Sequence, residues 1–369
     1  MQQKRKIALV GYSFSTGGAE RVLSNLSFVF DKLGYEVHTI IMIDKMSYPY
    51  AGKFYNIGAL RNSSNSFFNK INRFWMLRKY IREQQFDAII DFRFRVNDFQ
   101  ELMIYKFAYK APVLIQTVHS GEFKSYLFDK KWLSRLVFKS FDSIVCISEK
   151  QQEAIQQELG FNNLSLIHNS IDIQQIQQLK KEEVGIPNNY IIAVGRYFEV
   201  KQFDQLIAAY SQTQLVDDTI HLIILGEGPE KEKLQSNIDT LHLSDKIHLM
   251  DFQENPYKYM ARALFLVNSS LMEGLPMVLL ESLACETPII AFDCPTGPSE
   301  IIVNYKNGIL VENQNFDALI SAMNKLYLDK NLYNSCKSFA LESVAKFDVR
   351  VIEKKWEVLL NQLLTQKGR

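Results

Sequence analysis

Two carboxylates stand eight residues apart in the second half of the chain, on either side of a predicted helix start. Glu273 lies in a loop beside Gly274, where the backbone can approach a ligand closely. Glu281 lies on a helix predicted from Pro276 to about Cys285, which is apolar nearly all round. A carboxylate buried alone on such a helix costs several kcal/mol, so Glu281 needs a protein donor or a ligand hydroxyl as its partner.

The elements around these carboxylates indicate how they are positioned. The apolar run from Ala263 to Val267 is followed by Asn268, which is typical of a buried parallel strand at its carboxyl edge. Free N–H groups at the start of the next helix favour a phosphate. The ordinary alternative is that Glu281 satisfies a neighbouring backbone group and that Glu273 is a solvated loop charge.

A second segment, residues 193–207, ends a predicted strand with Gly195 and presents Arg196 and Lys201 just before a helix. Compact positive charge of this kind suits a diphosphate, because donors already in place stabilise the charge that develops on a leaving group. The alternative is an ordinary pair of cations on a surface loop.

Two further candidates lie in the first half of the chain. Gly17 and Gly18 follow the first predicted strand and open a helix, where the backbone can close on a ligand and the helix terminus favours an anion. A plain strand-to-helix turn explains them equally well. His119 follows the predicted strand from Val113 to Val118, and a lone histidine is more often structural than catalytic.

Together these segments resemble the retaining GT-B glycosyltransferases of family 4. The resemblance is carried by E-x7-E around G-x-P, by the following VLLESLA, and by G-R with Lys201 five residues after the arginine. It implies a nucleotide-sugar donor, a UDP-sugar, whose hexose or N-acetylhexosamine moves to an acceptor hydroxyl with retention. It makes Glu273 and His119 the catalytic candidates, with His119 positioning the donor near its anomeric centre, and it implies no protein nucleophile.

The resemblance also implies how the donor is held. Glu281 would bind the ribose, and Glu273 with the backbone from Gly274 to Met277 would bind the sugar. Arg196, Lys201 and the loop of Gly17 and Gly18 would bind the diphosphate. Leu275, Pro276 and Val278 are donor-binding candidates as well. No D-x-D occurs in the chain, so we expect Arg196 and Lys201, and not a metal ion, to neutralise the diphosphate. No cofactor is expected.

The length of 369 residues favours two domains. Apolar runs alternate with helical patterns in both halves, which predicts an α/β fold of two doubly wound, Rossmann-like domains. We expect an acceptor-side domain over residues 1–170, rejoined by a C-terminal helix at about 350–369, and a donor-binding domain over 171–349. The resemblance implies the GT-B arrangement, in which such domains face each other across a cleft.

The predicted strands begin at the first residue of each apolar run. These residues are Lys6, Glu36, Ala88, Val113, Ile144 and Leu164 in the first half, and Tyr190, Ile220, Ile247, Ala263, Ile289 and Ile309 in the second.

Composition narrows the class of protein. With 47% apolar and 22% charged residues, the chain is globular and not disordered. Residues 1–175 hold 23 Lys and Arg against 16 Asp and Glu, whereas the remainder holds 19 against 25, so the first half is the one expected to face something anionic. Four scattered cysteines without metal spacing fit a reduced cytoplasmic protein, and no segment is apolar for long enough to span a membrane.

Two stretches, residues 67–82 and 124–141, mix Lys and Arg with aromatic residues. A basic amphipathic helix with aromatic anchors can lie on an anionic bilayer, although a core-facing helix with a solvated basic face is the commoner case. We expect peripheral contact with the inner face of the cytoplasmic membrane, a glycan or lipid-linked glycan acceptor from lipopolysaccharide or other surface polysaccharide assembly, and no nucleic-acid partner. The alternatives are a small soluble acceptor, a catalytically silent nucleotide-sugar-binding protein and a nucleotide-sugar epimerase.

Overall fold

The structure is a computed structural model of the single chain, and it describes residues 4–15, 18–60, 67–185 and 189–368. The chain divides into two compact units. Unit 1 is Met1–Asn169 with Arg350–Arg369, and unit 2 is Ser170–Val349.

Unit 1 contains a parallel sheet of seven strands. They are β1 (Lys6–Gly11), β2 (Glu36–Ile41), β3 (Lys53–Asn56), β4 (Ala88–Asp91), β5 (Val113–Val118), β6 (Ser143–Cys146) and β7 (Leu164–Leu166), in the spatial order β3-β2-β1-β4-β5-β6-β7. The central strands are apolar runs buried on both faces, as expected where helices cover a parallel sheet. The edge strand β3 is absent from the predicted strands, because its sequence KFYN is only partly buried and contains no apolar run.

The helices of unit 1 connect these strands. They are α1 (Gly18–Lys32), α2 (Phe67–Gln84), α3 (Asp98–Met103), which continues as a π-turn over Ile104–Ala108, α4 (Lys131–Phe138) and α5 (Glu149–Leu159). Short 3-10 turns occupy Gly58–Leu60 and Phe123–Ser125. Local signals set the helix ends: the Ser148 side chain accepts from the Gln151 N–H at the start of α5, and Gly160 ends that helix with φ 69°.

Unit 2 contains a second parallel sheet, of six strands. They are β8 (Tyr190–Val194), β9 (His221–Leu225), β10 (Ile247–Met250), β11 (Leu266–Asn268), β12 (Ile289–Phe292) and β13 (Gly308–Val311), in the order β10-β9-β8-β11-β12-β13. Its helices are α6 (Ile173–Leu179), α7 (Phe203–Tyr210), α8 (Gln214–Asp217), α9 (Lys231–Thr240), α10 (Tyr257–Met260), α11 (Met277–Ala284), α12 (Pro298–Ile301), α13 (Phe316–Leu328) and α14 (Lys330–Ser343). Two 3-10 turns lie at Glu199–Lys201 and Ala345–Phe347.

The last helix, α15 (Val349–Gln366), belongs almost entirely to unit 1. Its buried Trp356 packs edge-on against Phe30 of α1, with ring centroids 5.9 Å apart. Where the chain leaves unit 2, the Val349 N–H donates to the Ile171 carbonyl at 2.8 Å, and the Ile171 N–H donates to the Phe347 carbonyl at 3.0 Å. The two chain segments at this junction are therefore bonded to each other.

Each sheet has a point at which its strand order reverses. This switch point lies between β1 and β4 in unit 1 and between β8 and β11 in unit 2. Ligands of open α/β sheets bind outside the carboxyl ends of the strands at such a point. The predicted α/β class with two doubly wound domains is confirmed, and the segments after these four strands are where a site is expected.

Candidate active site

Glu273 lies at the switch point of unit 2, in the loop between β11 and α11. Its carboxylate oxygen Oε1 is 2.6 Å from Lys201 Nζ and accepts from Asn268 Nδ2 at 3.2 Å. Burial on its own raises the pKa of Glu273, but the charge and hydrogen bond of Lys201 outweigh it, so the pKa is lowered below its ordinary value. Glu273 is therefore an anion at neutral pH although its side chain is only 11% exposed.

Lys201 reaches this carboxylate from the 3-10 turn that follows β8. Gly195, just after the end of β8, makes room for it, because a Cβ at Gly195 would lie 3.2 Å from Lys201 Cε. The predicted segment after β8 thus supplies a cation to the same place as the loop after β11. The remaining protons of the Lys201 ammonium group can be donated to a ligand.

Arg196 follows the same strand but adopts a different position. Its side chain is exposed, and its guanidinium carbon lies 5.1 Å from the centroid of the Phe198 ring. The structure therefore brings Lys201 and Glu273 together and places Arg196 at the same edge of the sheet, stacked on an aromatic ring.

Glu281 lies in the second turn of α11 and is 6% exposed. The Tyr257 hydroxyl of α10 donates to its Oε1 at 3.3 Å. A protein donor thus contacts this carboxylate. The helix itself begins at Met277, and Pro276, expected in the first helical turn, is the residue in front of it with an extended ψ of 107°.

The loop that carries Glu273 is braced by the turn before α12. The Thr296 hydroxyl donates to the Glu273 carbonyl, and Gly297 has a φ of +94°. A Cβ at Gly297 would lie 2.6 Å from Pro276 Cδ, so only glycine fits this contact without displacing the loop. Within the loop Leu275 and Pro276 are buried and Gly274 is partly exposed, as are Met277 and Val278 at the start of α11.

His119 follows β5 in unit 1. Its ring stacks on Phe92, with centroids 5.4 Å apart, and lies 6.4 Å from the Tyr126 ring. Burial lowers the pKa of His119 to about 4, although neighbouring Asn169 favours the proton. Among the described residues no protein atom meets either ring nitrogen with hydrogen-bond geometry. His119 is therefore a neutral imidazole at pH 7 that can position a ligand but does not supply a cation.

Gly18 is the first residue of α1. A Cβ built on it would meet nothing within 4 Å, so the space beside it is open. Gly17, the other glycine predicted to close on a phosphate, lies outside the described residues.

Comparison with known proteins gives the family. The profile described as Glycosyl transferases group 1 matches residues 175–342, and the profile described as Glycosyltransferase Family 4 matches residues 16–175. The Campylobacter jejuni enzyme N-acetylgalactosamine-N,N'-diacetylbacillosaminyl-diphospho-undecaprenol 4-alpha-N-acetylgalactosaminyltransferase is 30% identical over 355 residues, which cover 93% of this chain and 96% of that protein. This chain belongs to the group 1 glycosyltransferases of family 4. The family predicted from the E-x7-E spacing is confirmed.

Solved glycosyltransferase structures share the fold over nearly the whole chain. A crystal structure of Staphylococcus aureus TarM with Fondaparinux, alpha-GlcNAc-glycerol and UDP superposes with a TM-score of 0.77 at 16% identity and covers 97% of this chain and 100% of that one. Sucrose-phosphate synthase from Thermosynechococcus elongatus gives a TM-score of 0.80 at 17% identity, with coverage of 98% and 100%. These likenesses support the GT-B fold of this glycosyltransferase.

Sequence reasoning did not single out two side chains that contact the carboxylates of this glycosyltransferase. Asn268 ends β11 with its amide orientation fixed, because its Oδ1 accepts from the Ser270 N–H at 2.9 Å while its Nδ2 faces Glu273. Tyr257 lies 24 residues before Glu281 on a helix of four residues. The polar residue that closes an apolar strand was a usable signal for Asn268, whereas nothing in the sequence connects Tyr257 to Glu281.

No described helix has both the length and the hydropathy needed to cross a bilayer. No group of three or more His, Cys, Asp and Glu side chains in the described ranges could hold a metal ion. All four cysteines are buried free thiols.

Proposed function

We propose that the chain is a retaining glycosyltransferase that moves a hexose or N-acetylhexosamine from a UDP-sugar to a hydroxyl of a lipid-linked oligosaccharide or surface-polysaccharide intermediate. The observation that carries the proposal is the Lys201–Glu273 pair, 2.6 Å apart at the switch point of unit 2. A cation and an anion held together at a ligand-binding edge suit a ligand with a diphosphate next to a hydroxyl-bearing ring.

The donor contacts follow from this placement and from the family resemblance. Lys201 and Arg196 bind the diphosphate, and the family resemblance assigns Gly17 and Gly18 to the same group. Glu273 and the backbone from Gly274 to Val278 bind the sugar. Glu281 accepts from the ribose hydroxyls, with Tyr257 holding its carboxylate in place. When the donor binds, the ammonium group of Lys201 turns part of its hydrogen bonding from Glu273 to a phosphate oxygen.

The reaction then needs neither a protein nucleophile nor a metal ion. The acceptor oxygen forms a bond to the anomeric carbon on the face from which the diphosphate leaves, and the bond from that carbon to the phosphate oxygen breaks. The acceptor proton passes to the departing phosphate, whose negative charge Lys201 and Arg196 stabilise. His119, neutral at pH 7, positions the sugar and does not transfer a proton.

The acceptor is inferred from the similar Campylobacter enzyme. Its name specifies an undecaprenol-linked glycan and an α-linked N-acetylgalactosamine, the anomer that retention of an α-configured nucleotide sugar would give. The nucleotide UDP is the one present in the similar TarM structure. A polyprenyl-linked acceptor places the reaction at a membrane surface, which we assign to the cytoplasmic face because nucleotide sugars are soluble donors.

Exposed apolar side chains on the two basic stretches support peripheral membrane contact. On α2 the side chains of Phe68, Ile71 and Trp75 are 81, 38 and 56% exposed. On α4 those of Trp132 and Leu136 are 64 and 67% exposed, and the two lie four residues apart on one helix face. Lys and Arg flank all of these residues, as in helices that lie on anionic bilayers.

The decisive experiment screens nucleotide sugars for thermal stabilisation and then for transfer. A ligand that binds only the folded protein raises its melting temperature. The correct donor should do so, and transfer to a polyprenyl-diphosphate glycan should be strongly reduced in Arg196→Ala and Lys201→Met. Donor binding with neither transfer nor donor hydrolysis would identify a catalytically silent binding protein. Conversion of the donor sugar into another sugar in the absence of acceptor would identify an epimerase.

A vesicle flotation assay tests the membrane component. We expect binding to anionic vesicles at low salt, weakened in Trp132→Ala and unchanged in Leu328→Ala, a control at a 52% exposed position of unit 2. Absence of binding by the wild type would favour a small soluble acceptor.

A further inference from the structure

The segment that follows β4 in unit 1 buries charged side chains and exposes apolar ones, which is the reverse of an ordinary surface segment. Arg93 is 1% exposed, whereas Phe94 is 44% and Val96 60% exposed. Arg95 is held by ion pairs to Asp98 and, at 2.7 Å, to Asp129. Charged side chains thus point into the protein while apolar ones face outward, and both placements cost free energy unless another group compensates.

Arg93 is compensated by a buried ionic network. Its guanidinium lies 2.8 Å from Asp91 Oδ2 and 3.0 Å from Glu101 Oε2, and all three side chains are fully buried. The Tyr109 hydroxyl donates to Asp91 at 2.7 Å. A network with this many bonds fixes the end of β4 and the residues that follow it.

The outward-facing Phe94 is paired with Tyr12, the residue after β1. Their ring centroids are 4.4 Å apart with the planes tilted by 42°. The Tyr12 hydroxyl donates to Glu101 Oε1 at 3.2 Å, so the ionic network also holds the second ring. An aromatic pair is thereby fixed from beneath while the Phe94 side chain remains 44% open.

The pair lies where a ligand of unit 1 is expected. β1 and β4 are hydrogen-bonded neighbours and define the switch point of the sheet, and Tyr12 and Phe94 follow their carboxyl ends. A pyranose presents a face of C–H groups that packs on an aromatic ring, and stacking of this kind needs no charge from the protein. The charges of Asp91, Arg93 and Glu101 at this switch point are buried, which matches such an uncharged face.

We propose that the Tyr12–Phe94 pair is an acceptor subsite that takes the C–H face of a sugar ring of the glycan acceptor. The assignment rests on the proposed glycosyltransferase function and names the part of unit 1 that recognises the acceptor. Phe94 is the contact residue, Tyr12 completes the aromatic surface, and Arg93 with its two carboxylates positions both rings.

The test uses the full chain and a water-soluble acceptor, N-acetylgalactosamine joined through diphosphate to a short aromatic ether. Phe94→Ala should raise the acceptor KM about five- to tenfold, the range of a single aromatic contact, while kcat and the donor KM stay within about twofold. Phe94→Leu should behave like Phe94→Ala, and Phe94→Tyr should restore the wild-type KM. The matched control is Phe107→Ala, at a 43% exposed position of the same unit, which should leave all constants unchanged.

Three outcomes would overturn the subsite. The first is an unchanged acceptor KM in Phe94→Ala, and the second is an equal effect in Phe107→Ala. The third is a KM change confined to the same sugar on undecaprenol in vesicles, which would make Phe94 a bilayer contact. A wild-type chain that transfers no sugar from any nucleotide donor refutes the proposed function itself. An active wild type whose acceptor KM is unchanged by Phe94→Ala refutes the subsite alone.

Discussion

Replacement of Arg93 by methionine tests the energetics of the ionic network in unit 1. Methionine has a similar length and fills the space without a charge, so Asp91 and Glu101 lose the cation that they share. Removing one partner from a fully buried ion pair costs about 3–5 kcal/mol, because the remaining charges stay in a low-dielectric site. For a unit of this size that corresponds to a fall of roughly 6–20 °C in Tm.

The loss should depend on pH with a defined sign. Burial already raises the pKa of Glu101, and Arg93 opposes that rise. Without Arg93 the folded-state pKa of Glu101 rises further above its unfolded value, so the folded state holds a proton that the unfolded state releases. The destabilisation is therefore smallest at acidic pH and grows as the pH rises through the folded-state pKa.

Tryptophan fluorescence reports this unit specifically. All three tryptophans lie in unit 1, at Trp75, Trp132 and Trp356. Thermal unfolding of Arg93→Met would be followed by tryptophan emission at pH 5 and pH 8. The matched control is Lys79→Met, which breaks an exposed 3.8 Å pair with Glu83 and should cost less than about 1 kcal/mol.

A neutral variant separates lost charge from lost packing. Asp91→Asn, Arg93→Met and Glu101→Gln in one chain leave no uncompensated charge and should recover much of the lost Tm. A Tm within about 2 °C of wild type for Arg93→Met, or a loss independent of pH, would refute the argument that the buried carboxylates need this cation.

Two further predictions concern unit 2. Lys201→Met should lower kcat about 100-fold or more, because it removes the cation that stabilises the charge on the leaving group. The acidic limb of the pH–rate profile should move to higher pH, since the pKa of Glu273 rises without Lys201. An unshifted acidic limb would contradict this coupling between Lys201 and Glu273. Gly297→Ala should raise the donor KM and lower stability by about 1–3 kcal/mol, since φ is +94° and its Cβ would press on Pro276, and a donor titration with a melting curve measures both. An unchanged donor KM in Gly297→Ala would show that the brace is dispensable.

Much of the fold could be predicted because parallel strands are continuous apolar runs with helical patterns between them. The edge strand β3 could not, because its KFYN sequence is partly exposed and resembles a loop. Pro276 was expected inside α11 from its usual preference, but it precedes the helix with an extended ψ of 107°.

The spacing of the motifs was enough to predict candidate site residues, but not which of them contact each other. Lys201 and Glu273 are 72 residues apart, and their meeting depends on β8 and β11 being neighbours, which no local pattern reveals. The network of Arg93 was not predicted at all, because a sequence does not state which charges point inward. In the sequence, the network corresponds to the alternation of charged and apolar residues in DFRFRV. An amphipathic surface strand would show the same pattern.

The return of α15 to unit 1 determines the order in which the protein can be completed on the ribosome. Unit 2 is one uninterrupted stretch, whereas unit 1 lacks Arg350–Arg369 until all of unit 2 has been synthesised. At about 5–20 residues per second, roughly 9–36 s separate the synthesis of Asn169 from that of Arg350. Throughout that interval Phe30 has no Trp356 to pack against, so a nascent chain that stalls just before Trp356 would carry a complete unit 2 and an incomplete unit 1.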